Sequence, residues 1–114
     1  SARNVYGDPS RVTPELVDRY YELTLREGNR AALVQRFREL QKEDLSGQVR
    51  QVRQPTLILW GARDRLIPPA QAERFRHDIA GSRVQVFEAL GHVPQEEDPA
   101  ATVAAVKAFL AALK

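Results

Sequence analysis

The sequence predicts an α/β fold in which two parallel strands alternate with helices. Two short apolar runs, residues 56–60 and 83–87, read as strands. A helical stretch lies between them, and a second helical stretch follows the second run. The order strand, helix, strand, helix implies a right-handed crossover between parallel strands. The first 47 residues differ from this pattern, because they read as polar and helical throughout.

The first helix is predicted to begin at Thr13. A capping hydroxyl is followed there by Pro14 and Glu15, a proline in the first turn and an acid near the positive end of the helix dipole. Residues at helical spacing give this helix an apolar face: Leu16, Val17, Tyr20, Tyr21 and Leu23. Gly28 and Asn29 end it. A second helix is then predicted, ending between residues 44 and 47.

The second half of the chain carries the predicted strands. The run after Pro55, residues 56–60, shows no strong alternation and therefore suits a strand buried on both faces. A loop over residues 61–69, the acid loop, precedes a short helix that starts at Pro69 and is capped by Gly81. Residues 83–87 form the second strand. A second loop over residues 90–99, the histidine loop, leads to a last helix opened by Asp98 and Pro99.

Two strands alone do not make a stable sheet, because they expose hydrogen-bonding groups and apolar faces. We therefore expect further strands to complete it, from an upstream segment, a second chain or an exchanged subunit of a homo-oligomer.

Composition excludes several classes of protein. Seventeen basic and fifteen acidic residues give a net charge of +2, too balanced to favour nucleic acid as a partner. Cysteine is absent, so we expect neither disulfides nor thiolate metal sites, and a cytoplasmic location fits. No apolar run is long enough to span a bilayer. The sequence has neither a metal-ligand cluster nor a phosphate-binding glycine loop, so we expect no metal and no cofactor.

Asp64 and His92 are the candidate catalytic residues. Asp64 follows the first strand by four residues, and His92 follows the second by five. Both loops leave the carboxyl ends of parallel strands, so they emerge on the same rim of the sheet. A carboxylate that accepts the Nδ1 proton of an imidazole orients the ring and leaves Nε2 free to take a proton from a hydroxyl or from water.

These segments resemble the α/β-hydrolase superfamily. Residues 57–68, an apolar strand followed by Gly61-Ala62-Arg63-Asp64, resemble its acid-bearing segment. Residues 90–99, with Gly91-His92 and a downstream acid and proline, are similar to its histidine loop. The acid precedes the histidine, as in the superfamily. The resemblance implies an α/β-hydrolase fold, of which this chain is the C-terminal portion. Residues 1–47 would be a helical lid segment, and residues 48–114 the last part of the catalytic domain.

The resemblance implies a hydrolase that cleaves an ester or a related bond through a nucleophile–His–Asp triad. Its substrate would be a small molecule, an apolar ester or a similar compound. No serine in the chain has the Gly-x-Ser-x-Gly setting of the superfamily's nucleophile. The nucleophile, serine or aspartate, is therefore expected outside this chain, and the chain alone is expected to be inactive.

Simpler interpretations remain for single residues. Asp64 alone could be a turn residue that bonds its own backbone, and His92 alone an ordinary loop residue. His77 is expected on a solvated helix face. Four further acids are alternative candidates for the acid of the pair: Glu88, Glu96, Glu97 and Asp98. Of these, Glu96 and Glu97 are expected to serve the loop and the start of the last helix, and Asp98 is expected to cap that helix. A non-catalytic binding or receptor protein on the same fold is the alternative function.

Overall fold

A two-stranded parallel sheet lies at the centre of the computed structural model, which describes residues 2–40, 42 and 44–113. Strand β1 (Leu57–Gly61) pairs with strand β2 (Arg83–Phe87). Leu57 lies opposite Arg83, and Gly61 lies opposite Phe87. The predicted parallel pairing is therefore confirmed. The first strand starts one residue later than predicted and continues through Gly61.

The described residues form six α-helices. They are α1 (Pro14–Leu25), α2 (Asn29–Leu40), α3 (Ser46–Val49), α4 (Ala70–Asp78), α5 (Pro94–Glu97) and α6 (Pro99–Ala111). Helix α4 is the crossover between the two strands, as predicted. It ends at Asp78, and its C-cap is Ile79 rather than the predicted Gly81. Gly81 lies two residues further on at a φ of 77°, a backbone conformation that favours glycine at the turn into β2. No helix in the described ranges is long and apolar enough to cross a membrane.

Helix α1 begins as the sequence predicts. The Thr13 hydroxyl accepts a hydrogen bond from the Leu16 amide at 3.2 Å, which satisfies one of the free N–H groups of the first turn. Helix α2 ends at Leu40, earlier than predicted. The predicted extension falls partly on Gln41 and Glu43, which lie outside the described residues, and the short helix α3 follows separately.

Helix α6 packs on a different face from the one that its large apolar residues suggest. Thr102 and Ala105 are buried, whereas Val103, Val106 and Leu110 are 39 to 55% exposed. The small side chains of the buried pair let the helix lie close to β1. The larger residues, spaced three and four positions apart, stay exposed in the part of the fold that the structure describes.

The small core lies around the sheet and its loops. Its buried apolar residues come from strand β1, helices α4 and α6, the turn after α4, the histidine loop and the N-terminal segment: Tyr6, Ile58, Ala72, Ile79, Leu90 and Ala105. The N-terminal segment, residues 2–12, consists of two short 3₁₀ turns on either side of Tyr6. It packs on the histidine loop, which brings chain regions far apart in sequence to one end of the sheet.

Candidate active site

Asp64 is fixed by the turn that follows strand β1. Its Oδ1 accepts hydrogen bonds from the amides of Leu66 at 2.8 Å and Ile67 at 2.9 Å. Its own amide donates to the Gly61 carbonyl at 3.1 Å. An aspartate in a turn commonly accepts hydrogen bonds from backbone amides in this way. They occupy one carboxylate oxygen and leave Oδ2 available for a different partner.

That partner is His92. Its Nδ1 donates to Asp64 Oδ2 at 2.9 Å, a short hydrogen bond between residues 28 positions apart. The side chain of Asp64 is 4% exposed, and that of His92 is 33% exposed. The predicted proximity of the two residues is confirmed. The local turn and the long-range contact coexist, because each uses its own oxygen of the carboxylate.

Asp64 is held in its ionised form. Burial pushes its pKa upward, but the amide bond from Ile67, the hydrogen bond from His92 and the amide bond from Leu66 act in the opposite direction. Together they leave the pKa of Asp64 below its ordinary value. An ionised carboxylate only accepts hydrogen bonds, so His92 carries its proton on Nδ1 when the ring is neutral. Nε2 is then the unprotonated ring nitrogen.

Backbone bonds hold the acid loop against the histidine loop. The amide of Ala62 donates to the Phe87 carbonyl at 2.9 Å, and the amide of Arg63 donates to the Leu90 carbonyl at 2.9 Å. The two loops therefore continue the pairing of β1 and β2 beyond the strand ends. This continuation carries Asp64 and His92 to the same rim.

A shallow cavity of about 210 Å³ opens beside the pair. Its walls come from the end of β1, the acid loop and the start of α5: Leu59, Trp60, Gly61, Ile67 and Pro94, with Asp64 and His92. The indole Nε1 of Trp60 donates to the Ile67 carbonyl at 3.3 Å, which fixes the ring at the cavity edge. Most of these side chains are apolar, so the cavity offers an acyl or alkyl group a low-polarity surface next to the imidazole.

Among the other acids, Asp98 has the capping role that the sequence predicts. Asp98 caps α6 by accepting the Ala101 amide at 3.0 Å. Glu88 is exposed. Glu96 accepts a 2.6 Å hydrogen bond from the Tyr20 hydroxyl, which joins α5 to α1.

Glu97 makes a long-range contact that the sequence does not predict. It serves the loop as predicted, but its carboxylate is buried and bonds Gly7, 90 residues away. Gly91, directly before His92, is a local signal of a close backbone approach, but it does not identify the approaching segment.

His77 and Arg65 lie outside the Asp64–His92 pair. The His77 side chain is 82% exposed on α4, as expected for a solvated face, and its Nδ1 lies 3.1 Å from Asp78. Arg65 donates to the carbonyls of Tyr6 at 3.5 Å and Gly7 at 3.3 Å. The described residues contain no group of three or more His, Asp or Glu side chains placed to hold a metal ion.

Solved structures and a curated relative resemble this chain. The serine hydrolase CarC, involved in carbazole degradation, superimposes with a TM-score of 0.85 at 23% identity, over 96% of this chain and 44% of CarC. A hydrolase from Pseudomonas aeruginosa PA01 matches with a TM-score of 0.71 at 30% identity, over 89% of this chain and 37% of its own. The 2-hydroxy-6-oxo-2,4-heptadienoate hydrolase of Pseudomonas putida is 33% identical, over 92% of this chain and 40% of that protein.

The chain spans only part of these proteins. It covers 40% of the length of the Pseudomonas putida hydrolase and 16% of the length of another curated relative. The family model for the alpha/beta hydrolase fold matches residues 3–99, which include both loops and the N-terminal segment. The parallel strands, the crossover helix and this match all indicate the same fold. The chain belongs to the α/β-hydrolase fold family.

Proposed function

We propose that this chain supplies the acid and the histidine of a hydrolase that cleaves an ester or a related bond. The main support is the 2.9 Å hydrogen bond from His92 Nδ1 to Asp64 Oδ2, which lies at the carboxyl ends of adjacent parallel strands. His92 is the general base and then the general acid. Asp64 orients its ring and stabilises the imidazolium that forms.

In the first half of the reaction, His92 Nε2 takes the proton of the nucleophile's hydroxyl. The freed oxygen attacks the carbonyl carbon of the substrate and forms a tetrahedral intermediate. The imidazolium then gives its proton to the leaving group as the bond to that group breaks. The acyl group is left on the nucleophile as an ester.

In the second half, His92 Nε2 takes a proton from water. The hydroxide formed attacks the acyl carbon, and the acid product leaves as the nucleophile regains its proton from His92. If the nucleophile is an aspartate, it attacks without losing a proton, and His92 acts only on the water. With either nucleophile, Asp64 orients His92, and His92 activates the water that releases the product.

The nucleophile in this proposal lies outside these 114 residues. The chain covers 44% of CarC and 40% of the Pseudomonas putida hydrolase, which leaves room for a nucleophile strand elsewhere in a longer protein. The exposed apolar side chains of α6 are suited to contact such additional structure. Helices α1 and α2 would be part of a lid over the site, joined to α5 by the bond between Tyr20 and Glu96.

The apolar walls of the cavity favour a substrate with an apolar acyl or alkyl group. Leu59, Trp60 and Ile67 present carbon surface within the cavity that contains His92. Two probes follow from this surface and from the relatives: a p-nitrophenyl ester of a short fatty acid, and the oxo-dienoate named for the Pseudomonas putida hydrolase. The first tests ester cleavage, and the second tests a related bond.

The experiment compares His92→Ala with His77→Ala in the complete protein that contains this chain. These are the two histidines of the sequence, and each has its Nδ1 near an aspartate. We expect His92→Ala to lower kcat by at least about 10³-fold, because the proton acceptor is lost. His77→Ala should leave kcat unchanged, because its side chain is solvated. The 114-residue chain alone should turn over neither probe.

Two results contradict the proposal. Full activity in a folded His92→Ala variant would remove His92 from the chemistry. Turnover by the 114-residue chain, lost on His92→Ala, would place the nucleophile within it. A complete protein that keeps the bond between His92 and Asp64 but hydrolyses neither probe would instead favour the alternative of a binding protein.

A further inference from the structure

Glu97 is buried directly beside the candidate site without touching the Asp64–His92 pair. Its side chain accepts two backbone hydrogen bonds: Oε1 from Gly91 at 2.7 Å and Oε2 from Gly7 at 2.8 Å. The residue is 2% exposed. Burial of a carboxylate carries a desolvation cost, which hydrogen bonds to both of its oxygens offset. Glu97 therefore joins the residue before His92 to a segment at the other end of the chain.

The same segment also bonds the backbone of His92. The His92 amide donates to the Val5 carbonyl at 2.8 Å. Successive amides of the histidine loop are thus held by Glu97 and by Val5. The imidazole of His92 is held on its other side by Asp64. The position of the ring depends on both attachments, because the side chain is short and its backbone is fixed.

The acid loop is tied to the segment as well. Arg65, next to Asp64, donates to the carbonyls of Tyr6 and Gly7. The backbone of residues 5–7 therefore bridges the loop of the acid and the loop of the histidine. A Cβ added to Gly91 would lie 2.6 Å from the Val5 carbonyl oxygen, so the segment and the histidine loop are in direct backbone contact.

We infer that Glu97 is a positioning residue, which clamps the histidine loop to the backbone of residues 5–7 and thereby sets His92 relative to Asp64. This inference rests on the proposed function. Glu97 accepts hydrogen bonds from amides of the loop and of the segment, and within the described part of the chain it has no hydrogen bond to the imidazole or to Asp64. Its loss should therefore act on the chemical step through the placement of His92, and leave substrate affinity nearly unchanged.

The test is Glu97→Gln in the complete protein, with Glu88→Gln as the matched control. Glutamine keeps one acceptor oxygen but turns an N–H donor toward one of the two backbone amides, so one bond is lost. Glu88 is an exposed acid just before the histidine loop, and its replacement removes the same charge. We expect Glu97→Gln to lower kcat by about 10- to 100-fold with KM nearly constant, as for a misplaced catalytic group. Glu88→Gln should leave both constants unchanged.

A second readout does not depend on turnover. The Nδ1 proton of His92, held by Asp64, should give a resolved downfield ¹H NMR resonance that His92→Ala removes. We expect this resonance to shift or broaden in Glu97→Gln and to stay in place in Glu88→Gln. If the wild-type protein hydrolyses nothing, the proposed function fails, and the resonance alone still decides whether Glu97 positions the ring.

A folded Glu97→Gln variant with wild-type kcat and an unmoved resonance would overturn the inference. If this variant does not fold, Arg65→Gln tests the inference instead. It removes the hydrogen bonds between the acid loop and residues 5–7, and the Arg65 side chain is exposed, so the change should be tolerated. A loss of kcat of about 2- to 10-fold, the worth of one such hydrogen bond, together with a shifted resonance, would support the clamp. Unchanged kcat and an unmoved resonance in Arg65→Gln would then reject it.

Discussion

Gly61, the last residue of β1, lies against Gly91 of the histidine loop with no room for a side chain between them. A Cβ on Gly61 would overlap the carbonyl oxygen of Gly91 and would lie 2.6 Å from the carbonyl carbon of Leu90. The strand that leads to Asp64 and the loop that carries His92 thus meet backbone to backbone. This contact fixes the spacing of the two loops on the rim.

Replacement of Gly61 by alanine should destabilise the fold. The added methyl group would meet backbone atoms, which cannot move aside as a flexible side chain can, and we expect a loss of about 1–3 kcal/mol in the free energy of unfolding. Gly47→Ala is the control, because nothing lies within 4 Å of its added Cβ. That change should be neutral or stabilise by up to about 1 kcal/mol. Urea unfolding measures both, and equal stability of the two variants would contradict the close contact.

Asp64→Asn should impair catalysis far more than Asp78→Asn in the complete protein. Each aspartate contacts a histidine Nδ1, and their side chains are similarly buried, 4% and 6% exposed. Loss of the acid permits the wrong tautomer of His92, which costs on the order of 10⁴-fold in kcat in triad enzymes. Asp78→Asn should leave kcat unchanged, since His77 and Arg50 lie outside the site. Steady-state kinetics with the p-nitrophenyl ester measure the difference, and similar losses in both variants would count against a specific role for Asp64.

The contribution of Asp64 to stability should disappear in acid. Its folded-state pKa lies below the ordinary value of about 3.9, so the folded chain binds this proton less tightly than the unfolded chain does. The stabilisation is fully present above about pH 4, and it is lost as the pH falls through the folded-state pKa. Urea unfolding of the wild type and of Asp64→Asn, between neutral pH and about pH 2, should give free energies that converge as the pH falls. A constant difference would contradict the lowered pKa.

Tyr20 should titrate well above an ordinary tyrosine. Its hydrogen bond to Glu96, burial and the charge of that carboxylate raise its pKa to about 12. The folded chain therefore keeps this proton more tightly than the unfolded chain, and the resulting stabilisation is present below about pH 10 and lost as the pH rises through about 12. A ¹³C NMR titration of the tyrosine Cζ resonances, assigned with Tyr20→Phe, measures the pKa. Glu96→Gln should lower it, and an unaltered value in that variant would exclude Glu96 as the main cause.

The sequence was sufficient for both strands, for the caps at the start of α1 and α6, and for the proximity of the pair. Thr13 and Asp98 were predictable as caps, because a cap needs only a side-chain oxygen and the amides within three residues of it. Asp64 and His92 were predictable as neighbours, because parallel strands bring the ends of their loops to one rim. Both predictions concern residues whose separation is set by the regular geometry of one helix or of one pair of strands.

The packed face of α6 and the role of Glu97 were not predictable in this way. The spacing of Val103, Val106 and Leu110 gives an apolar stripe, but which face packs depends on what lies opposite it. Glu97 acquires its role only when Gly7 is brought within 2.8 Å of its carboxylate. Neither outcome is encoded in a local period or motif.

The amino-acid sequence by itself determined the order of strands and crossover helix, the caps at the start of α1 and α6, and the two residues that meet at the rim. Only the tertiary structure decided that residues 5–7 lie across both loops and that Glu97 joins them to Gly91. The physical reason is the range of the interactions. Caps and strand pairing depend on short, regular spacings along the chain, whereas the Glu97 clamp depends on the close approach of backbones separated by 84 residues or more, from Gly7 to Gly91.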